Sequence, residues 1–163
     1  MSRPPTPNVR TCYAGAVMDI ALAPGADENG LAVMLSELVR QNLETNPHKM
    51  GDFEALSGVI AIVAEDAEVA LTLCFDRGDL RIHNGVLGVP DVVIYGTSDT
   101  IMALSNMPLN RQGLPIPARG DTAGKELVRS VFQALLKRSF RIEGMLFHLP
   151  MLMRLTKVMS VNG

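Results

Sequence analysis

The stretch between residues 59 and 83 constrains the fold more than any other, because it spells three extended segments in immediate succession. Residues 59–64 form a short unbroken apolar run, Val69, Leu71, Leu73 and Phe75 alternate with Ala70, Thr72 and Cys74, and residues 80–83 extend again. A period of two sends successive side chains to opposite faces of a sheet. Glu65, Asp66 and Glu68, and then Arg77-Gly78-Asp79, supply polar connections of hairpin length. Three antiparallel strands follow.

Helical periodicity brackets this cluster. From residue 29 to 46, Leu31, Met34, Leu35, Leu38, Val39 and Leu43 recur at intervals of three and four, with Glu37, Arg40 and Glu44 between them and Asn46-Pro47 as the stop. A fourth strand, 92–95, follows Pro90-Asp91, and Thr97-Ser98-Asp99 can cap a helix running to Asn106. Pro108, Pro115 and Pro117 make residues 107–120 an irregular loop. Asp121 or Thr122 then caps a helix through Lys137 whose inner face is Leu127, Val131, Phe132 and Leu135. Residues 140–143 read as a last strand. Residues 145–161 are apolar around most of a helix, with Pro150 in a first turn and only Arg154 and Lys157 as a polar face. Pro4, Pro5, Pro7 and the Pro24-Gly25 boundary set residues 1–24 apart as a partly flexible arm that can dock or fray, leaving 25–163 as one α+β domain.

The charge and the motifs exclude more than they assign. A formal charge of −2, with acidic and basic residues mixed along the chain, leaves no basic footprint for nucleic acid. Cys12 and Cys74 form no disulfide framework or zinc spacing, the N-terminus lacks the cationic-then-apolar order of a signal peptide, and no apolar run reaches the ~20 residues of a membrane span. A cytoplasmic protein is expected. Gly96-Thr97-Ser98-Asp99-Thr100 departs from a nucleophile elbow at its fifth position. Gly120-Asp121-Thr122-Ala123-Gly124-Lys125-Glu126 is one residue short of a phosphate loop, and Glu126 stands where magnesium needs a hydroxyl. His48, His83 and His148 are too far apart for a local metal pair, and Cys74 has no neighbouring base in sequence to activate it. The expectation is a protein with no catalytic residue, no metal and no cofactor.

Ten methionines and no tryptophan in 163 residues suit either an ordinary core or an adaptable apolar wall. Between these, the order of features from Phe53 to Gly144 points to the wall. Phe53-x-x-Leu56-x-Gly58 leads into the first apolar strand. Leu71-Thr72-Leu73-Cys74-Phe75 is followed by Arg77-Gly78-Asp79-Leu80, and Pro90-Asp91 precedes Val92-Val93-Ile94-Tyr95-Gly96. Ser98-Asp99-Thr100-Ile101-Met102-Ala103-Leu104 and Phe140-Arg141-Ile142-Glu143-Gly144 complete the set. In this order the chain resembles the sterol carrier protein type 2 family. The resemblance implies a five-stranded, largely antiparallel sheet covered by helices and enclosing an apolar cavity, which carries a sterol, a fatty acid or a fatty-acyl thioester. The residues expected to line it are Leu71, Leu73, Phe75, Ile82 and Ile94 from strands, and Met102, Phe132, Met145, Leu149 and Leu152 from helices. The apolar C-terminal helix is expected to gate the cavity, to touch a membrane transiently with Arg154 and Lys157 on anionic head groups, or to pair with a second copy. The alternatives are a small isomerase or thioesterase acting on a lipid-like substrate, for which His83, Asp91 and Asp99 are the only candidate acid–base groups, and an interaction module with a filled interior that dimerises through the apolar C-terminal helix.

Overall fold

The computed structural model describes residues 19–105, 120, 122–136 and 140–161. In chain order the elements are β1 (Asp19–Leu22), α1 (Gly30–Thr45), α2 (Met50–Glu54), β2 (Ser57–Ala64), β3 (Val69–Asp76), β4 (Asp79–Asn84), β5 (Val92–Gly96), α3 (Ser98–Ser105), α4 (Thr122–Leu136), β6 (Arg141–Glu143) and α5 (Met145–Met159). The α+β class therefore holds. The sheet differs from the expected one: it has six strands in the order β1-β4-β3-β2-β5-β6, and it is mixed. β3 pairs antiparallel with β2 and β4, and β6 pairs antiparallel with β5, while β1 runs parallel to β4 and β5 parallel to β2. The expected loop at 107–119 lies outside the described residues.

The sixth strand comes from the end of the expected arm. Four residues are too few to show a period, so β1 is fixed by tertiary contacts. Arg40 Nη2 on α1 donates to the Ile20 carbonyl at 3.0 Å, Asp19 N donates to Asp79 Oδ1 at 3.2 Å, and Ala23 N donates to the Ile82 carbonyl at 2.8 Å. Ile20 is buried against the core.

One face of the sheet carries the core. Its strand side chains include Ile60, Ile62, Leu71, Leu73, Phe75, Leu80, Ile82 and Ile94, all buried. α1 lays Ala32, Leu35, Val39 and Leu43 into this core, the spacing that an amphipathic helix provides. Asn29 anchors that helix at its start: its Oδ1 accepts from Leu31 N and Ala32 N, and its Nδ2 donates to Ala70 O and Asn84 Oδ1. α2 contributes Phe53, whose ring meets Phe75 edge-on at 6.3 Å between centroids.

α5 closes the other part of the same face, and two glycines decide how closely it can sit. Gly144 has φ 80°, and a Cβ there would fall 2.2 Å from the Asp91 carbonyl oxygen. Gly58 has φ 137°, and its Cβ would meet Asp91 Oδ2 and Met151 Sδ at 2.8 Å. Only glycine fits both places. α5 itself breaks at His148, where φ is −124°, so Pro150 lies in the first turn of the longer second piece. Among the described residues no helix is long and apolar enough to cross a membrane.

Candidate functional site

The β5–α3 turn and the β2–β3 hairpin are built as one unit. Thr97 Oγ1 accepts from Thr100 N at 3.2 Å, and Asp66 Oδ1 accepts from Ser98 N at 2.7 Å and from Ser98 Oγ at 3.1 Å. Those bonds hold the Asp66 carboxyl below the usual carboxylate range, the Ser98 amide contributing most. Glu65 pairs with Arg141 at 3.2 Å, and Arg141 also lies over the Tyr95 ring at 4.7 Å. The carboxylates of this turn thus position α3 and β6, beyond keeping a hairpin soluble.

α3 is held in this way over the sheet, opposite α5, and an apolar pocket of about 90 Å³ lies between them. Ile62 and Ile94 form its floor, Ile101 and Leu104 one wall, Phe140 and Ile142 a second, and Leu152, Leu155, Thr156 and Met159 a third. The register explains the floor, since β2 and β5 run parallel with Ile62 beside Ile94. Thr156 Oγ1 donates to the Leu152 carbonyl at 2.8 Å, so the hydroxyl in the wall is already satisfied within its own helix. No ionisable side chain is among the described lining residues. A water-sized group occupies about 10–15 Å³ on this measure, so the pocket takes roughly six to nine such groups, a length of acyl chain or a compact ring rather than a whole sixteen-carbon chain.

The sequence-predicted lining residues divide into three sets. Ile94 and Leu152 line the pocket. Leu71, Leu73, Phe75 and Ile82 lie on the same sheet face, each no more than 2% exposed, in the filled core with Leu35, Leu43 and Phe53. Met102 is half-buried on α3, while Phe132, Met145 and Leu149 face solvent at 63%, 42% and 51% exposure. Phe132 was expected on the inner face of its helix; the side chains of Leu127, Val131 and Leu135 lie outside the described residues. Sequence reasoning missed Ile62, Ile101, Leu104, Phe140, Ile142, Thr156, Leu155 and Met159. The last two were findable, because Leu152, Leu155 and Met159 follow one helical stripe.

The three acid–base candidates lie apart from the pocket. Asp91 Oδ2 accepts from Val59 N at 2.8 Å and fills the space above Gly58. Asp99 borders a shallow depression with Thr100, Ala103 and Ser130. His83 is on β4 opposite Thr72, its Nε2 buried with no hydrogen-bond partner among the described residues. Burial, and secondarily the Arg81 charge, push its pKa down. Among the described residues no group of three or more His, Cys, Asp or Glu could hold a metal.

Helices closing an apolar pocket against one face of a mixed sheet define the domain as α+β. Residues 36–115 match the model of the SCP-2 sterol transfer family, the family that the sequence resembles. The solved structure described as a UbiJ-SCP2 ubiquinone synthesis protein shares the fold, with a TM-score of 0.53 at 10% identity, covering 81% of this chain and 94% of that one. A crystal structure of sterol carrier protein 2 aligns with a TM-score of 0.44 at 12% identity, over 76% of this chain and 88% of that one. No curated protein matches the sequence.

Proposed function

We propose that the protein binds and carries a lipid without chemically changing it, in the pocket between Ile62 and Ile94 on the sheet and helices α3 and α5. The observation that carries this reading is the lining: among the described residues it is apolar, its one hydroxyl is satisfied internally, and it holds no group for acid–base work. Burial of each methylene contributes about 0.8 kcal/mol, so six to nine carbons gain roughly 5–7 kcal/mol before ordering costs. That supports a weak, exchangeable complex, which suits a carrier of sterol, fatty-acid or acyl-thioester type. Exchange with a membrane completes the carrier's cycle.

Native mass spectrometry of the purified protein, followed by organic extraction, tests this. One apolar ligand per chain is expected, and Leu104→Trp, which fills the pocket from α3, should abolish it. A chain that takes up no fatty acid or sterol even in excess would overturn the reading.

A further inference from the structure

The sheet has a second face, and the helices do not account for its burial. The register sets Val59 beside Cys74 and Ala61 beside Thr72, so these four point away from Ile60, Ile62, Leu71 and Leu73 on the core side. Val59 and Cys74 are 6% and 4% exposed, and Ala61 and Thr72 are fully buried. Yet Val59, Ala61 and Cys74 take no part in the core that α1, α2, α3 and α5 build on the other face. Among the described residues the second face has a cover at either side. The turn after β4 folds over Thr72, whose Oγ1 donates to the Gly85 carbonyl at 2.7 Å and accepts from Leu87 N at 3.0 Å. Arg141 lies over the Tyr95 ring. Between them, no buried apolar side chain of the described helices is packed on the strip formed by Val59, Ala61 and Cys74. A sheet face open to water alternates polar residues outward; this strip is apolar and dry.

Two stretches outside the described residues are long enough to cover it, 1–18 and 106–119. The second is tied at both ends to the helix layer: the Ser105 carbonyl accepts from Val161 N at 3.0 Å, and α4 packs Val128 against Ala103 and Leu104. It also carries Arg111 and Arg119. The first leads into Asp19 on β1, the edge strand, which lies three strand spacings from β2. That distance is about 15 Å, and six extended residues span about 20 Å. The six residues before Asp19 are Tyr13, Ala14, Gly15, Ala16, Val17 and Met18, apolar and without a charge. Their small side chains at 14–16 suit close approach to a floor that is itself small at Ala61 and Cys74.

We propose that residues 13–18 of the N-terminal arm dock across the second face of the sheet, seated on Val59, Ala61 and Cys74, so that the sheet is covered on both faces. This docking needs no ligand in the pocket, and the carrier reading stands or falls apart from it. Tyr13→p-benzoylphenylalanine in the otherwise native full chain puts a photo-cross-linker on the arm. Irradiation is expected to join it, within one chain, to residues of β2, β3 or β5 that face away from the core, read by peptide mass spectrometry. Links to the helices of the core side, or none beyond the arm, overturn the proposal. So do links between chains, which assign the strip to a second copy. Cys74 gives an independent readout, because in Cys12→Ser it is the one thiol of the chain. Adding Val17→Asp sets a charge against the apolar strip and should speed labelling of Cys74 by a thiol reagent about tenfold or more, with the circular dichroism of the folded chain retained. A labelling rate that Val17→Asp leaves unchanged overturns the docking. If Val17→Asp does not fold, the cross-link in the otherwise native chain decides.

Discussion

The ammonium of Lys49, buried beneath the end of α5, donates to the backbone carbonyl of Ser160, 111 residues away in sequence. Beside it Asn42 Nδ2 donates to the carbonyls of Val158 at 3.0 Å and Met159 at 2.8 Å. The last carbonyls of a helix have no partner within it, and a cation there also meets the negative end of the helix dipole. Two polar side chains from the α1–α2 region therefore fix the helix that walls the pocket.

Replacing Lys49 by Met keeps the length of the side chain and deletes the donor. Loss of the buried Lys49–Ser160 hydrogen bond should cost about 1–3 kcal/mol in urea unfolding. The pH response carries a second signature. Burial holds the Lys49 pKa below its usual 10.5, so in alkali the folded chain loses this proton before the unfolded chain does. The Lys49 contribution to stability then rises with pH up to the unfolded pKa. That alkaline rise should be absent from Lys49→Met.

At the other end of the pH range, His83 should weaken the fold. Its folded pKa lies below 6.5, so as pH falls through 6.5 the unfolded chain takes up a proton that the folded chain refuses, and stability declines. His83→Gln should flatten the unfolding free energy between about pH 7.5 and pH 5. An unchanged slope would show that Nε2 gains a partner in solution.

Asp66 links a turn to the pocket wall through the first amides of α3. Its depressed pKa means that its stabilising contribution is present above about 3.8 and is lost as pH falls through the folded value. Asp66→Ala should raise hydrogen exchange in the α3 amides at neutral pH, leaving those of α1 unaffected.

Gly144→Ala should be among the most damaging single changes. The added Cβ would overlap the Asp91 carbonyl at 2.2 Å, and φ 80° is itself costly for alanine. A loss of about 3 kcal/mol or more is expected from thermal or urea unfolding. Gly30→Ala is the control, since a Cβ there meets nothing within 4 Å.

Most strands and helices were legible because each carries its own period: residues 59–64, 69–75 and 29–46 became β2, β3 and α1 within two residues at either end. The site was less legible, for three physical reasons. Alternation tells which face of β3 is apolar but not what covers it, so Leu71, Leu73 and Phe75 could be assigned to a face while the large side chains of α1 and α2 that fill the space above them could not. Continuous apolar sequence in the last helix hides the break at His148, which turns Leu149 outward and Leu152 inward. A lysine is by default a surface residue, and only a chain end 111 residues away gives Lys49 its buried partner. β1 escaped notice because its register is supplied by Asp79 and Arg40 rather than by its own four residues.

Phe75 and Leu104 separate core from pocket. Phe75 is 2% exposed, edge-on to Phe53 in a filled region, so Phe75→Ala should cost about 3–5 kcal/mol by opening a cavity that its neighbours close only in part. Leu104 borders free space, so Leu104→Trp should change stability by less than about 1.5 kcal/mol, because the larger ring occupies room that is already there. Lipid affinity should divide the other way: nearly unchanged in the fraction of Phe75→Ala that stays folded, and lost in Leu104→Trp. Urea unfolding with a fluorescent fatty-acid titration measures both quantities on the same samples. If Phe75→Ala alters affinity as much as Leu104→Trp does, the ligand reaches past Ile62 into the region beneath α2, and the carrier site extends across the whole covered face of the sheet.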